Sequence, residues 1–245
     1  MKRIVIVGAS SGIGRLAAIE LASRGWTVGI AARNADRLAE VAATNPKQII
    51  PRTIDVTAPD ARARFRDLVT ACGGIDSLLF TAGCGWYNPS LDVADDMHTD
   101  AVNVSGFTAI IATAFAIAAE SGRPLHIAAV TSVAGVRGLG VSAAYSASKR
   151  YQWTYLQGIE QLAHLRRVPV TVGDIRPGFI RTALLGRGPA RLPMVMDPEK
   201  ATRAVVRAVV SRRRVTVIDT RWAILTALWR LVPRWLWRLL PVRFS

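Results

Sequence analysis

The sequence predicts an α/β protein: one doubly wound domain on a mostly parallel seven-stranded sheet, followed by an amphipathic helical tail. Three observations predict it. Short β-branched runs alternate with longer Ala- and Leu-rich stretches along the 245 residues, the pattern of successive βαβ units. The first run leads straight into a glycine-rich turn and a helix. Hydrophobic residues make up 51% and charged residues 20%, enough to bury one core and too apolar for a disordered chain.

Taken in order, the strands are expected at Ile4–Val7, Thr27–Ala31, Gln48–Ile54, Ser77–Phe80, Leu125–Thr131 and Pro169–Ile175. A seventh is expected at Arg214–Ile218, after a helix starting near Pro198. Each is an apolar run of strand length bounded by turn residues, and the segments between them read as helices covering both faces of the sheet. Residues 186–196 are rich in Gly, Pro and Arg without periodicity, which suits a loop over a pocket. The expected division is a domain over 1–218 and an extension over 219–245.

The net charge of +15 is concentrated: eleven basic residues and one acid, Asp219, lie from Lys200 onward, so +10 of it falls in the last 46 residues. No zinc-finger spacing, RNA-binding aromatic motif or basic-region heptad accompanies that charge, which argues against a nucleic-acid partner. Cys72 and Cys84 stand twelve positions apart without a histidine cluster, so neither a metal site nor a disulfide framework is expected. The basic start runs into an apolar stretch that stops at Gly8, too short for a signal-peptide core. A cytoplasmic location is expected, with association at the inner membrane face through the tail.

The first strand enters Gly8-Ala9-Ser10-Ser11-Gly12-Ile13-Gly14, and Arg15–Ser23 reads as a helix. Gly8 permits the tight turn, Gly12 lets backbone approach a pyrophosphate, Gly14 allows close helix packing, and the helix N-terminus faces the phosphates. This is a Rossmann-like dinucleotide cradle with altered glycine spacing. After the second strand, where a carboxylate would accept the ribose hydroxyls of NAD, the chain has Ala31-Ala32-Arg33-Asn34. A small residue and an arginine leave room and charge for a 2′-phosphate, so NADP (NADPH) is favoured over NAD, with Arg15 as a second contact.

Tyr145 and Lys149 are four apart, on one face of a helix. A free phenol, with pKa about 10, is a poor acid or base near neutrality, and a neighbouring cation favours the phenolate. Ser132 lies thirteen residues earlier at the end of an apolar strand, where ligand-facing groups of parallel sheets belong. Asn103 falls within a helical pattern it suits poorly, which points to a local distortion.

The glycine motif, Asn103, Ser132, Tyr145, Lys149 and Pro177-Gly178-Phe179-Ile180-Arg181-Thr182 stand in the order and approximate spacing of the short-chain dehydrogenase/reductase family, which residues 1–218 resemble. The resemblance implies Tyr145 as general acid, Ser132 polarising a carbonyl, Lys149 lowering the tyrosine pKa and binding the nicotinamide ribose, and Asn103 supporting a water-mediated relay to Lys149. It also implies cofactor contacts at Ser10, Ser11, Ile13, Asp55, Val56, Ala82, Gly83, Pro177, Gly178, Ile180 and Thr182, and a homodimer or homotetramer. One departure is Thr81-Ala82-Gly83 where the family commonly has Asn-Ala-Gly; the threonine hydroxyl can still pin the strand end. Cys84 follows immediately and could face the pocket, and it reads as a small buried hydrophobe rather than a reactive thiol.

In the tail, Trp222, Trp229, Trp235 and Trp237 alternate with Arg230, Arg234 and Arg238, and Pro233 can begin a second helix. The arginines make a spanning helix costly, so the readings are an interfacial helix on anionic lipid through 220–245, or packing over the pocket or an interface. The expected function is NADP(H)-dependent interconversion of a carbonyl and an alcohol on an apolar small molecule. The alternative is a catalytically silent nucleotide sensor or scaffold that binds membrane or a partner through its tail. The pocket wall is expected from 83–89, 135–143 and 186–196.

Overall fold

A computed structural model describes residues 2–85, 87–182 and 192–242. Among the described residues there are seven strands: β1 (Arg3–Val7), β2 (Thr27–Ala32), β3 (Ile49–Thr53), β4 (Ser77–Phe80), β5 (Leu125–Val130), β6 (Val170–Arg176) and β7 (Val215–Val217). They pair in the order β3-β2-β1-β4-β5-β6-β7, and every pairing is parallel. Pro51 is accommodated because β3 is an edge strand with a free side.

Period-two alternation divides the core. Val5 and Val7 point to one face, against Phe65, Leu68, Phe107 and Ile110 of α3 (Ala61–Ala71) and α5 (Phe107–Ser121). Ile4 and Ile6 point to the other, against Ala17 and Leu21 of α1 (Gly12–Ser23) and Val205 and Val206 of α7 (Pro198–Val210). Central strands buried on both faces are therefore nearly continuous hydrophobic runs, which is why they could be read without an alternating pattern. Helix α2 (Ala35–Ala43) begins at an Asn34 cap that accepts from Arg37 N, holding the chain just beyond β2.

Helix α4 (Val93–Asp100) continues into a π-helical turn at Ala101–Gly106 and then α5. The helical run Val93–Ser121 is long and apolar enough to cross a membrane, but just over half of its most apolar window is buried inside the protein, as a core helix would be. The long helix α6 (Ala143–Leu165) crosses this turn. The strand order reverses between β1 and β4, and the crevice beyond their carboxyl ends is where an open α/β sheet receives ligands.

Candidate active site

A cavity of about 610 Å³ fills that crevice. At one end Gly8 and Gly12 adopt φ of 98° and 53°, conformations that a side chain would strain. Gly14 packs so closely that a Cβ there would lie 2.3 Å from Gly8 O and 2.5 Å from Thr81 Oγ1. Thr81 Oγ1 donates to Val7 O at 2.9 Å with Gly8 O at 3.1 Å, so the unusual threonine pins the turn to the end of β4. Ser11 is the N-cap of α1 yet makes no side-chain capping bond. The first amides of α1 thus stand open towards the cavity, a setting made for phosphate.

Arg33, Asn34 and Arg37 line the cavity beyond β2, with no acid among them. Arg15 does not line it and is exposed on α1. Burial pushes the Asp55 carboxyl up, but hydrogen bonds from Thr57 and the charge of Arg33 outweigh it and hold the group low. The residues present therefore fit a dinucleotide: a cradle that a Cβ would fill, open helix amides for the pyrophosphate, and two cations at the adenosine end.

At the other end lie Ser132, Tyr145 and Lys149. Ser132 leaves β5 extended and caps a short 3₁₀ turn at Val133–Val136 by accepting from Ala134 N at 3.1 Å. Thr131 beneath it donates to Asp174 Oδ1 at 2.6 Å and accepts from Trp153 Nε1 at 3.1 Å. Asp174 is paired in turn with buried Arg176, whose guanidinium lies 3.6 Å over the Trp153 ring. The serine thus stands on a satisfied buried network rather than on a free loop.

Tyr145 and Lys149 share a face of α6, with the ammonium 5.6 Å from the phenol ring centre. Burial raises the Tyr145 pKa, and a hydrogen bond with Ser132 opposes that rise. Burial lowers Lys149 to about 8, against the upward pull of Cys84 and Asp174. Asn103, fully buried in the π-helical turn, accepts from Cys84 N and donates to Cys84 O and Ser148 Oγ. The expected distortion is therefore real, but Asn103 lies behind the cavity wall.

A water relay from Asn103 to Lys149, implied by the resemblance, meets a protein group instead. Gln152 Nε2 donates to Asn103 O at 2.9 Å, and Lys149 Nζ donates to Gln152 Oε1 at 3.1 Å. Cys84 faces the pocket: it is half-buried and lines the cavity beside Tyr145, because Gly83 and Gly85 leave no side chain to cover it. Burial holds its thiol above the ordinary value.

The tail supplies a wall. In α8 (Thr220–Leu231), Trp222 is buried edge-on against Phe179, so close to Gly178 that a Cβ there would lie 2.1 Å from Nε1. Trp222 and Trp229 line the cavity with Leu139, Tyr87 and Leu192. Arg137 donates to the carbonyls of Trp229, Arg230 and Val232, and Trp237 in α9 (Arg234–Trp237) donates to Gly138 O at 2.9 Å. Of the reading that Pro233 begins a second helix, a single turn remains.

Apart from Arg15, every residue expected to touch a cofactor lines this one cavity, as do Ser132, Tyr145 and Lys149, while Asn103 supports it from behind. Sequence reasoning missed Arg37 and Gln152; packing of the tail over the pocket was one of its two readings, without Trp222 and Trp229 being singled out as the inward residues. Only Gln152 carried a local signal, three residues after Lys149 on the same helical face. Trp86 and 186–191 of the expected wall lie outside the described residues.

The fold and the site define an oxidoreductase of the α/β class. The family model for short chain dehydrogenases matches residues 2–191. The chain therefore belongs to the short-chain dehydrogenase/reductase family. It is 32% identical over 212 residues to an oxidoreductase of Myxococcus xanthus, with 84% of this chain and 83% of the relative covered. A short-chain dehydrogenase/reductase from Burkholderia phymatum in complex with NAD superposes with a TM-score of 0.83 at 20% identity, covering 93% and 92% of the two chains. An alcohol dehydrogenase from Thermococcus sibiricus complexed with 5-hydroxy-NADP gives 0.77 at 22% identity, covering 89% and 95%.

Proposed function

We propose that the chain is an NADP(H)-dependent oxidoreductase interconverting a carbonyl and an alcohol on an apolar small molecule. The observation that carries this reading is the single cavity that joins Gly8–Gly14 and the Arg33/Arg37 pair to Ser132, Tyr145 and Lys149. When bound, the nicotinamide supplies or takes up the hydride. Ser132 Oγ donates to the substrate oxygen and holds it beside Tyr145. Tyr145 gives that oxygen its proton in reduction and removes it in oxidation, and the Lys149 ammonium favours the phenolate left behind. Trp222, Trp229, Leu139 and Phe179 exclude water and select an apolar ligand. The Arg33/Arg37 pair, with no carboxylate in the Ala31–Asn34 segment at the end of β2, favours the 2′-phosphate of NADP.

Fluorescence titration with NADPH and NADH tests the cofactor half: NADPH binds tighter, and Arg33→Ala narrows the gap. Turnover on a panel of apolar ketones and aldehydes tests the chemistry, with Tyr145→Phe lowering kcat by about 100-fold or more. A protein that binds NADPH, oxidises none of it on any substrate, and is unmoved by Tyr145→Phe is a sensor or scaffold instead.

A second reading concerns the tail. With Trp222 and Trp229 turned inward, Ile224, Leu228, Leu231, Trp235 and Leu239 are left exposed among Arg221, Arg234 and Arg238. Apolar residues interleaved with arginines complement an anionic lipid surface. Co-sedimentation with vesicles containing phosphatidylserine is expected, and is lost in Leu228→Glu/Leu231→Glu without loss of NADPH binding; no sedimentation of the parent protein ends this reading.

A further inference from the structure

Lys149 is only 4% exposed and Asn103 is fully buried. A buried ammonium needs acceptors, and a buried carbonyl needs a donor. Both needs are met by one side chain. Gln152, itself 1% exposed, receives from Lys149 Nζ at its oxygen and gives to the Asn103 carbonyl from its nitrogen. The arrangement follows from the two helices that meet there. The π-helical turn at Ala101–Gly106 leaves Asn103 O facing α6, and Lys149 and Gln152, three apart, present their side chains on one face of α6.

We propose that Gln152 is a positioning residue for the reaction of this site: its amide fills the gap between Lys149 and Asn103 and ties the ammonium in place with a protein group. Resting on the functional reading above, this has a chemical consequence. A water in that gap could pass a proton, because it accepts one as it gives another. A primary amide flanked in this way does not, since its N–H faces Asn103 and its oxygen faces Lys149. Proton exchange at Tyr145 then runs through the cleft rather than through the protein behind Lys149.

The groups facing the Lys149 ammonium are Tyr145 and Gln152 on its own helix, Cys84 from the segment after β4, the Asn103 carbonyl beyond Gln152, and Asp174 of β6 at longer range. Cys84 and Asp174 are common to all variants of Gln152, so a change at 152 is read against a constant background.

The experiment is a titration of Lys149 in the cofactor-free protein, by NMR of lysine side chains labelled with ¹³C at the ε carbon. The chain has four lysines, and Lys149→Arg identifies the signal. Gln152→Met keeps the volume and removes the acceptor; Lys149 is expected to titrate about one pH unit lower, the size of one hydrogen bond to a charged group. Gln152→Glu places a carboxylate against the ammonium and moves the titration upward. With cofactor present, Gln152→Met is expected to lower kcat and pull in the alkaline limb of its pH profile by the same interval, leaving KM for NADPH within about twofold. A Lys149 titration unchanged in Gln152→Met, or moving the same way in both variants, overturns the proposal. If Gln152→Met is too unstable to titrate, an unmoved Gln152→Glu overturns it alone. Since the titration needs neither cofactor nor turnover, it stands apart from any failure of the functional reading.

Discussion

Arg137 donates from Nε to the carbonyl of Trp229 at 3.0 Å, joining the segment after Ser132 to the end of α8 across ninety-two positions of sequence. The same guanidinium reaches the carbonyls of Arg230 and Val232 and lies 5.9 Å from the ring centre of Trp237. Orphan carbonyls at a helix end, usually left to solvent or a glycine turn, are here satisfied by a cation that also suits the helix dipole.

Arg137→Ala is therefore expected to cost about 1–3 kcal/mol, since several carbonyls lose a charged donor at once. The tail wall loosens with it. KM for an apolar substrate should rise several-fold while NADPH affinity stays unchanged, because the glycine turn and Arg33 lie at the other end of the cavity. Thermal melts and paired titrations measure both; a lowered NADPH affinity with an unmoved KM would place the tail's influence elsewhere.

Lys149 gives the second expectation. Burial lowers its pKa to about 8, so the ammonium is present below that pH and is lost above it. Carbonyl reduction should decline on an alkaline limb near pH 8, and Lys149→Arg, which keeps its charge, should not show that limb. Stability moves the opposite way. The unfolded lysine holds its proton up to about 10.4, so between these values the unfolded chain binds more protons and stability rises with pH. At pH 7 the buried charge is a cost, and Lys149→Met is expected to match or exceed the parent's stability by about 1–2 kcal/mol while losing turnover. Urea unfolding at pH 7 and pH 9.5 shows whether the difference between the two proteins narrows.

His126 is the third. It is fully buried, with Nδ1 paired to Thr171 Oγ1 at 3.0 Å, and burial together with the charge of Arg212 lowers its pKa to about 4. The unfolded histidine titrates near 6.5. Between these values the unfolded chain binds the extra proton, so stability is complete above about pH 6.5 and is lost as pH falls towards 4, by about 3 kcal/mol in all. His126→Leu should flatten this part of the curve. Denaturation midpoints at pH 7.5 and pH 5 for the two proteins check it, and an equal drop in both would assign the acid sensitivity to the carboxylates.

How much of this was legible in the sequence depends on range. The strands were readable because a sheet covered on both faces needs only short apolar runs, and even the awkward Asn103 announced its bent helix. Gly8, Gly12 and Gly14 were readable because the turn, the phosphate-facing amides and the helix follow one another without interruption. Arg37 was hidden because an exposed arginine on a helix looks like any solvated one until β2 and α2 are placed. Trp222 and Trp229 were hidden for another reason: their periodicity marks an amphipathic helix, but which face meets Gly178 and Phe179 depends on contacts far apart in the chain. Gln152 lay in plain view, yet its meaning needed a backbone carbonyl forty-nine positions away.

The wall built by Trp222 and Trp229 has a bearing on the birth of the protein at the ribosome. The nucleotide cradle comes from the first eighty-odd residues, while the substrate wall is among the last pieces to be made. Since a domain folds as a unit and β1 and α1 pack against Val205 and Val206 of α7, the half that would hold a nucleotide closes only once α7 has emerged, still ahead of the half that would hold a substrate. A chain cut short at the β7 strand would keep the first half and leave the second open to water.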